Sequence, residues 1–209
     1  MGVEPLRVWV FIDAQNLYRD TRDAFHARDA PSSFGQVDPQ GFGLLVAARG
    51  PVRSSRPRRL EEVRIYTGMP SSSKEPKTNA AHKRQRHAWE EQGVKVVARP
   101  LRYPKGWPSQ RAVEKGVDVA LAVDLVFNAA RRRYDVGIVA STDTDLLPAL
   151  EAVCELRRAW GTPRIEVTCW SPLAKRLRVD GHALWCHRLD RHDYESVRDP
   201  RNYARAEGS

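Results

Sequence analysis

The sequence predicts an α/β fold in three layers, with a mainly parallel central sheet and helices on both faces. Two observations carry this. Short apolar runs rich in β-formers alternate with longer segments of helical spacing along nearly the whole chain, the pattern of repeated βαβ units. Glycine and proline punctuate many of the joints between them.

LRVWVFID (Leu6 to Asp13) is rich in β-formers, stops at an acid, and reads as a buried strand. AQNLYRDTRDAFHAR follows with Leu17, Thr21, Ala24 and Phe25 at helical spacing. Pro31 to Gly35 is a loop. Asp38 suits the N-cap of a helix through Leu44, Leu45 and Ala48 that stops at Gly50 and Pro51. Arg49 to Arg59 is basic, proline-bearing and exposed in this reading. Glu62 to Gly68 is the second strand, a helix ending at Gly93 follows, and Val94 to Leu101 is the third strand.

After an irregular loop, Val117 to Arg133 is a strong helix and Tyr134 to Ser141 a fourth strand. The next helix carries Leu146, Leu147, Leu150, Val153 and Cys154 on one side, with Pro148 in its first turn, where a missing N–H is harmless. Arg164 to Trp170 is the fifth strand, with a short helix near Ser171 to Arg178 and a last edge strand in ALWCHRLD. Residues 1–190 form the domain in this reading, and 191–209 a loose, polar C-terminal tail.

At 209 residues the chain suits one domain, and its formal net charge of +9 favours a polyanionic partner. Cys154, Cys169 and Cys186 are odd in number and form no CxxC, which argues for a reducing compartment over a disulfide framework. No apolar stretch reaches membrane-spanning length and Met1 to Pro5 is too short for a targeting segment, so the expectation is a soluble, cytoplasmic protein without a membrane partner. The excess of arginine over lysine is compatible with a GC-rich bacterial genome. Walker A, GxGxxG and GxSxG motifs are absent from the sequence, which leaves nucleotide-hydrolase, dehydrogenase and esterase readings unsupported. Cys169, His182, Cys186, His187 and His192 match no common zinc spacing.

In open α/β sheets, functional groups gather at the carboxyl ends of the strands. Asp13 ends the first strand, Asp143 and Asp145 follow the fourth, and Asp118 starts the helix preceding it. Close carboxylates repel unless a cation neutralises them, and oxygen-only ligands suit Mg²⁺ or Mn²⁺. A negative pocket within a positive surround is what a metal-dependent nuclease needs. Each acid alone also has a bland reading. Asp13 suits a helix cap, and Thr142 with Asp145 resembles a capping box. Their convergence favours the site, because capping needs one acid per helix. Asp124 lies about 240° around and roughly 9 Å along the helix from Asp118, so it is assigned a supporting or structural hydrogen bond.

FIDAQNLY (Phe11 to Tyr18), EKGVDVALAVDLV (Glu114 to Val126) and VGIVASTDTDLLPAL (Val136 to Leu150) resemble the NYN domain family of PIN-like nucleases, in the right order and at family-like spacing from about Leu6 to Asp190. The resemblance implies a PIN-like, Rossmann-like fold and Mg²⁺- or Mn²⁺-dependent ribonuclease activity leaving a 5′-phosphate and a 3′-hydroxyl. It makes Asp13 the first-strand metal ligand and Asn16 the polar residue that supports it. Asp118 becomes the acid of a K-G-x-D motif, with Lys115 beside it, and Asp143 and Asp145 the acids of the usual S-G-D-S-D motif; Asp13, Asp118 and Asp143 are then expected to bind one or two metal ions, with Asp145 completing the shell directly or through water. Two departures stand out: Thr142 replaces that motif's glycine, and Ala14-Gln15 stands where many relatives have Gly-Glu or Gly-Asn. Threonine is expected to alter the loop backbone, since glycine tolerates dihedrals that threonine does not.

Single-stranded or structured RNA is the expected partner. Lys83, Arg84, Arg102, Lys105, Arg111 and Lys115 are the candidate phosphate contacts, and Tyr103 and Trp107 are placed either to stack on bases or to pack down on their own loop. The alternative is a PIN-like module that binds RNA or protein without cutting. A metal-dependent phosphatase of small substrates fits the positive charge less well. A homo-oligomer or a regulatory protein partner is compatible with either main reading.

Overall fold

LRVWVFID forms β1 (Leu6–Asp13), and its residues from Val8 to Ile12 are buried on both faces of the sheet. That double burial explains its continuous apolar run, since a central parallel strand has no solvent side. The computed structural model describes residues 3–31, 33–51, 56–173 and 175–204.

The remaining strands are β2 (Arg58–Met69), β3 (Lys95–Pro100), β4 (Val136–Ala140), β5 (Arg164–Trp170) and β6 (Trp185–Leu189). They form one sheet in the order β3-β2-β1-β4-β5-β6, and every pairing is parallel. The chain builds outward from β1 through β2 to β3, then returns to the other side of β1 with β4. This reversal leaves a crevice above the carboxyl ends of β1 and β4, the place where such sheets bind ligands.

The helices are α1 (Ala14–Phe25), α2 (Pro39–Ala48), α3 (Pro76–Glu91), α4 (Val117–Ala130), α5 (Leu147–Trp160) and α6 (Arg191–Val197). Each sheet face carries its own core. Val8, Val10 and Ile12 of β1 meet Phe25, Phe42, Trp89 and Tyr194 from α1, α2, α3 and α6. Trp9 and Phe11 point the other way, to Leu121 and Leu125 of α4 and Leu150 and Val153 of α5. Period-two alternation along β1 therefore sorts one strand between two helical layers. No described helix is long and apolar enough to cross a membrane.

Several expectations are corrected. β2 begins at Arg58, before the expected Glu62, because its first turn of chain is polar yet pairs with β1 from Leu6↔Arg58 onward. Arg58 itself is buried against Glu166 at 2.8 Å, with His187 on the same carboxylate. The helix expected near Ser171 to Arg178 is only a 3₁₀ turn, Ser171–Leu173. Beyond it Leu177 and Val179 are buried while Lys175, Arg178 and Asp180 are exposed, the spacing of extended chain.

The loose tail is also corrected in part. Asp190 and Asp193 form a reciprocal capping box, and α6 buries Tyr194 and Val197 against the first core. Arg49, the C-cap of α2, is paired with the buried Asp193. The chain then folds back: Asp199 accepts from Arg201 and from the Tyr203 hydroxyl, and Arg84 of α3 donates twice to the Tyr203 carbonyl. Residues 205–209 of the expected tail lie outside the described residues.

Candidate metal centre

Three separate pieces of chain deliver acids to the crevice. Asp13 is the last residue of β1 and the N-cap of α1: its Oδ1 accepts from the Asn16 amide at 3.0 Å and its Oδ2 from Ser141 Oγ at 3.1 Å. Capping and site placement thus fall to the two oxygens of one carboxylate. Asp118 stands in the first turn of α4, where the helix N-terminus favours negative charge. Gly116 immediately before that helix has φ +75°, a left-handed conformation that explains the glycine. Asp143 follows β4 and caps the 3₁₀ turn Thr144–Leu146.

One carboxylate oxygen from each of Asp13, Asp118 and Asp143 lies within 4.8 Å of the others. None of the three is ion-paired to a Lys, Arg or His among the described residues. Burial pushes the Asp13 carboxyl up to about 6, and the charges of Asp118 and Glu114 add to it against the hydrogen bonds from Asn16 and Ser141. Asp118 is raised too, by burial first and then by Asp143. This electrostatic cost is what a hard divalent cation removes, and the all-oxygen donor set fits Mg²⁺ or Mn²⁺. No group of Cys and His comparable to the acid triad occurs among the described residues.

Asp145 stands apart. Its amide donates to Asp143 Oδ1 at 3.0 Å and its charge reaches Asp118, but its exposed carboxylate is outside the triad. The Thr142–Asp145 capping box does not form, because Asp143 is the cap. Asn16 buttresses the site: its Oδ1 accepts from the Thr142 amide at 2.8 Å and so fixes the loop after β4. Asp124 accepts from Arg64 and the Tyr66 hydroxyl, a structural bond outside the triad.

The expected effect of Thr142 on the loop backbone is corrected. Arg132 is the one non-glycine residue with positive φ among those described, so Thr142 needs none of glycine's freedom. Its hydroxyl instead donates to the buried Asp20 of α1 at 2.6 Å.

Sequence reasoning passed over Glu114, Ser141 and Asp20. Glu114 accepts from the Gly68 amide at 2.7 Å; burial first and then the charge of Asp118 push its carboxyl up, and its own charge helps raise that of Asp13. A Cβ at Gly68 would fall 2.3 Å from the Leu101 side chain and 2.7 Å from that of Glu114, so any larger residue there would displace Glu114. The available signal was the position of Glu114 two residues before the left-handed Gly116.

Lys83, Arg102, Lys105, Arg111 and Lys115 are exposed and make no ion pair among the described residues. Arg84 is committed to the Tyr203 carbonyl. Tyr103 and Trp107 pack edge to face, with ring centroids 4.9 Å apart, and the Tyr103 hydroxyl bonds to Glu75. Both rings stay half-exposed beside that contact.

No curated protein matches the chain. Among solved structures, a protein of unknown function from Vibrio parahaemolyticus superposes with a TM-score of 0.60 at 15% identity, over 91% of this chain and 97% of that one. That likeness speaks for the fold. A second structure, a candidate transcriptional regulator from Clostridium difficile, shares 18% identity over 52% of this chain and 28% of its own, and its TM-score of 0.21 carries no argument. The model of the NYN domain family matches residues 7–161, which takes in β1, the acid triad and α5, and on that match the chain belongs to the NYN domain family.

Proposed function

We propose that this NYN domain is a divalent-metal-dependent ribonuclease that hydrolyses RNA phosphodiester bonds, with Asp13, Asp118 and Asp143 as ligands to Mg²⁺ or Mn²⁺. NYN domains are generally nucleases, a hydrolase family. The observation that carries the reading is the meeting of three carboxylates, from positions far apart in sequence, within 4.8 Å and without a partner cation among the described residues.

Held by these acids, a divalent ion supplies the positive charge that polarises a phosphodiester and acidifies water. The chain's own residues do the rest. Asn16 and Ser141 fix the orientation of Asp13 before substrate arrives, which lowers the reorganisation needed at the reacting centre. Asn16 also holds the loop that carries Asp143. Asp145 and Glu114 flank the triad and contribute negative charge without belonging to it. Lys83, Arg102, Lys105, Arg111 and Lys115 draw the polyanion to an otherwise negative crevice, a role that makes binding strongly salt-dependent.

The test is incubation of purified protein with end-labelled single-stranded RNA, with Mn²⁺ or Mg²⁺ and with chelator, alongside Asp143→Asn. Cleavage that needs the metal and is lost in the variant supports the reading. Cleavage that persists at the same rate in chelator and in Asp143→Asn overturns it.

A further inference from the structure

The outward face of α4 is apolar. Of the 14 residues of this helix only Asp118 and Asp124 are charged, and both have a place elsewhere, Asp118 in the acid triad and Asp124 with Arg64 and Tyr66. The inner face, with Val117, Leu121 and Leu125, is buried in the second core. On the opposite arc, at about 100° per residue, stand Val119, Val123, Phe127 and Ala130, all exposed, with Ala120 and Val126 half-buried beside them. Val119, Val123 and Phe127 are 64%, 59% and 51% exposed. A helix that is apolar all round is normally covered all round. Here β1, β2, β3 and α5 pack on one side of α4, and the outward side lies open.

The two ends of this stripe carry opposite charge. At the N-terminal end the neighbouring charges that act on Asp118 are those of Asp143 and Asp145, both negative, with Lys115 as the base that precedes the helix. At the C-terminal end the run Arg131-Arg132-Arg133 is exposed. Arg131 lies over the Phe127 ring at 4.5 Å, and Arg132 lies over Trp160, at the end of α5, at 5.0 Å. These cations are thereby held at the edge of the stripe. The stripe is also balanced about Val123: Val119 comes four residues before it and Phe127 four after, along one i±4 ridge. A surface that is apolar at its centre, negative at one end and positive at the other matches its own copy turned end for end. Reversal sets Val123 on Val123, Val119 on Phe127, and each arginine run at the acid end of the other copy. It also opposes the two helix dipoles. That is the self-complementary pattern of a two-fold contact, in which one patch serves both sides.

We propose that α4 is a homodimer interface, in which two copies of this chain pair their Val119–Phe127 stripes antiparallel about a two-fold axis through Val123. The proposal stands apart from the ribonuclease reading, because it uses the acids only as charges. One helix face covers less than the roughly 800 Å² per partner of a standard interface, so the dimer dissociates at about micromolar concentration.

The experiment is sedimentation velocity on the full chain over roughly two decades of concentration around micromolar, in chelator so that the acids keep their charge. The expected result is a monomer–dimer equilibrium that rising sodium chloride shifts toward monomer. Val123→Glu puts two like charges at the axis and raises the dissociation constant about tenfold or more, with circular dichroism to check folding. Val123→Cys tests the axis directly, because a residue on it meets its own copy. Treated with diamide, that variant gives a disulfide-linked dimer that the unmodified chain, with its three native cysteines, does not give. Val119→Cys alone gives no such link, whereas Val119→Cys mixed with Phe127→Cys does. These cysteine variants keep the test open if Val123→Glu does not fold. A chain that stays monomeric throughout, a dimer indifferent to Val123→Glu, or a dimer without the Val123→Cys link overturns the proposal. A monomer that uses this face to bind vesicles or a different protein overturns it as well.

Discussion

Ser141 Oγ donates to Asp13 Oδ2 at 3.1 Å and accepts from the Asp143 amide at the same distance, so one hydroxyl joins the end of β1 to the loop after β4. Ser141 is 3% exposed, which shields the bond from bulk solvent. Ser141→Ala leaves Asp13 with one fewer donor, and the Asp13 carboxyl titrates higher still. The expected outcome is a loss of about 1 kcal/mol in stability by urea denaturation. The acid limb of the cleavage profile shifts to higher pH. A profile unchanged in position would show that the bond does not govern the carboxylate.

Asp143→Asn removes one of three mutually repelling charges. Cleavage should fall to background, and the melting temperature of the metal-free protein should stay level or rise, because the substitution relieves repulsion within the triad. A drop in melting temperature of several degrees would assign Asp143 a mainly structural role as cap of the turn Thr144–Leu146.

Metal binding should depend on pH in a defined direction. The folded-state Asp13 carboxyl, at about 6, lies above its unfolded value, so the folded chain holds that proton more tightly. Its ionisation therefore costs stability: the penalty is absent below the unfolded pKa and fully present above about pH 6. A cation binds the ionised triad and offsets the penalty. The rise in melting temperature on adding Mn²⁺ should be larger at about pH 7.5 than at about pH 5. An equal rise at both would place the metal elsewhere.

Thr142→Val keeps the shape of the side chain and deletes its hydroxyl. The buried Asp20 then loses the donor that holds it at 2.6 Å. Urea denaturation should register a loss of about 1–3 kcal/mol, the cost of a buried acceptor left without its partner. Thr142→Ser should recover most of it.

The C-terminal return carries an acid-sensitive clamp. Burial pushes the Asp199 carboxyl up, but hydrogen bonds from Arg201 and Tyr203 outweigh it and hold the carboxyl below the usual range. Its stabilising contribution is present above the unfolded pKa and is lost as the pH falls through the folded one. Asp199→Asn should reduce stability at neutral pH and flatten the acid limb of the urea profile. Hydrogen exchange should then speed up in the segment around Tyr203. A profile that keeps its slope would show that Asp199 is not the titrating group.

The parts of this protein that a single segment can encode were legible in its sequence. β1 could be read to its last residue because an unbroken apolar run ends at Asp13, and the left-handed Gly116 marks the start of α4 two residues before Asp118. α6 escaped notice because only Tyr194 and Val197 face the core over its seven residues. A helix so short has no stability of its own and exists by docking.

The sequence by itself determined the alternation of strands and helices, and with it the delivery of acids to the carboxyl edge of a parallel sheet. Tertiary structure alone decided which acids meet: Asp13, Asp118 and Asp143 converge, Asp145 stays outside, and Glu114 joins the flank through the Gly68 amide. It also decided that Thr142 serves Asp20, and that α1, α3 and the returning chain enclose a cleft. The physical reason is one of range. Periodicity and propensity act over a few residues, whereas a carboxylate's neighbours across the reversal of the sheet depend on strand order and register, which no local window contains.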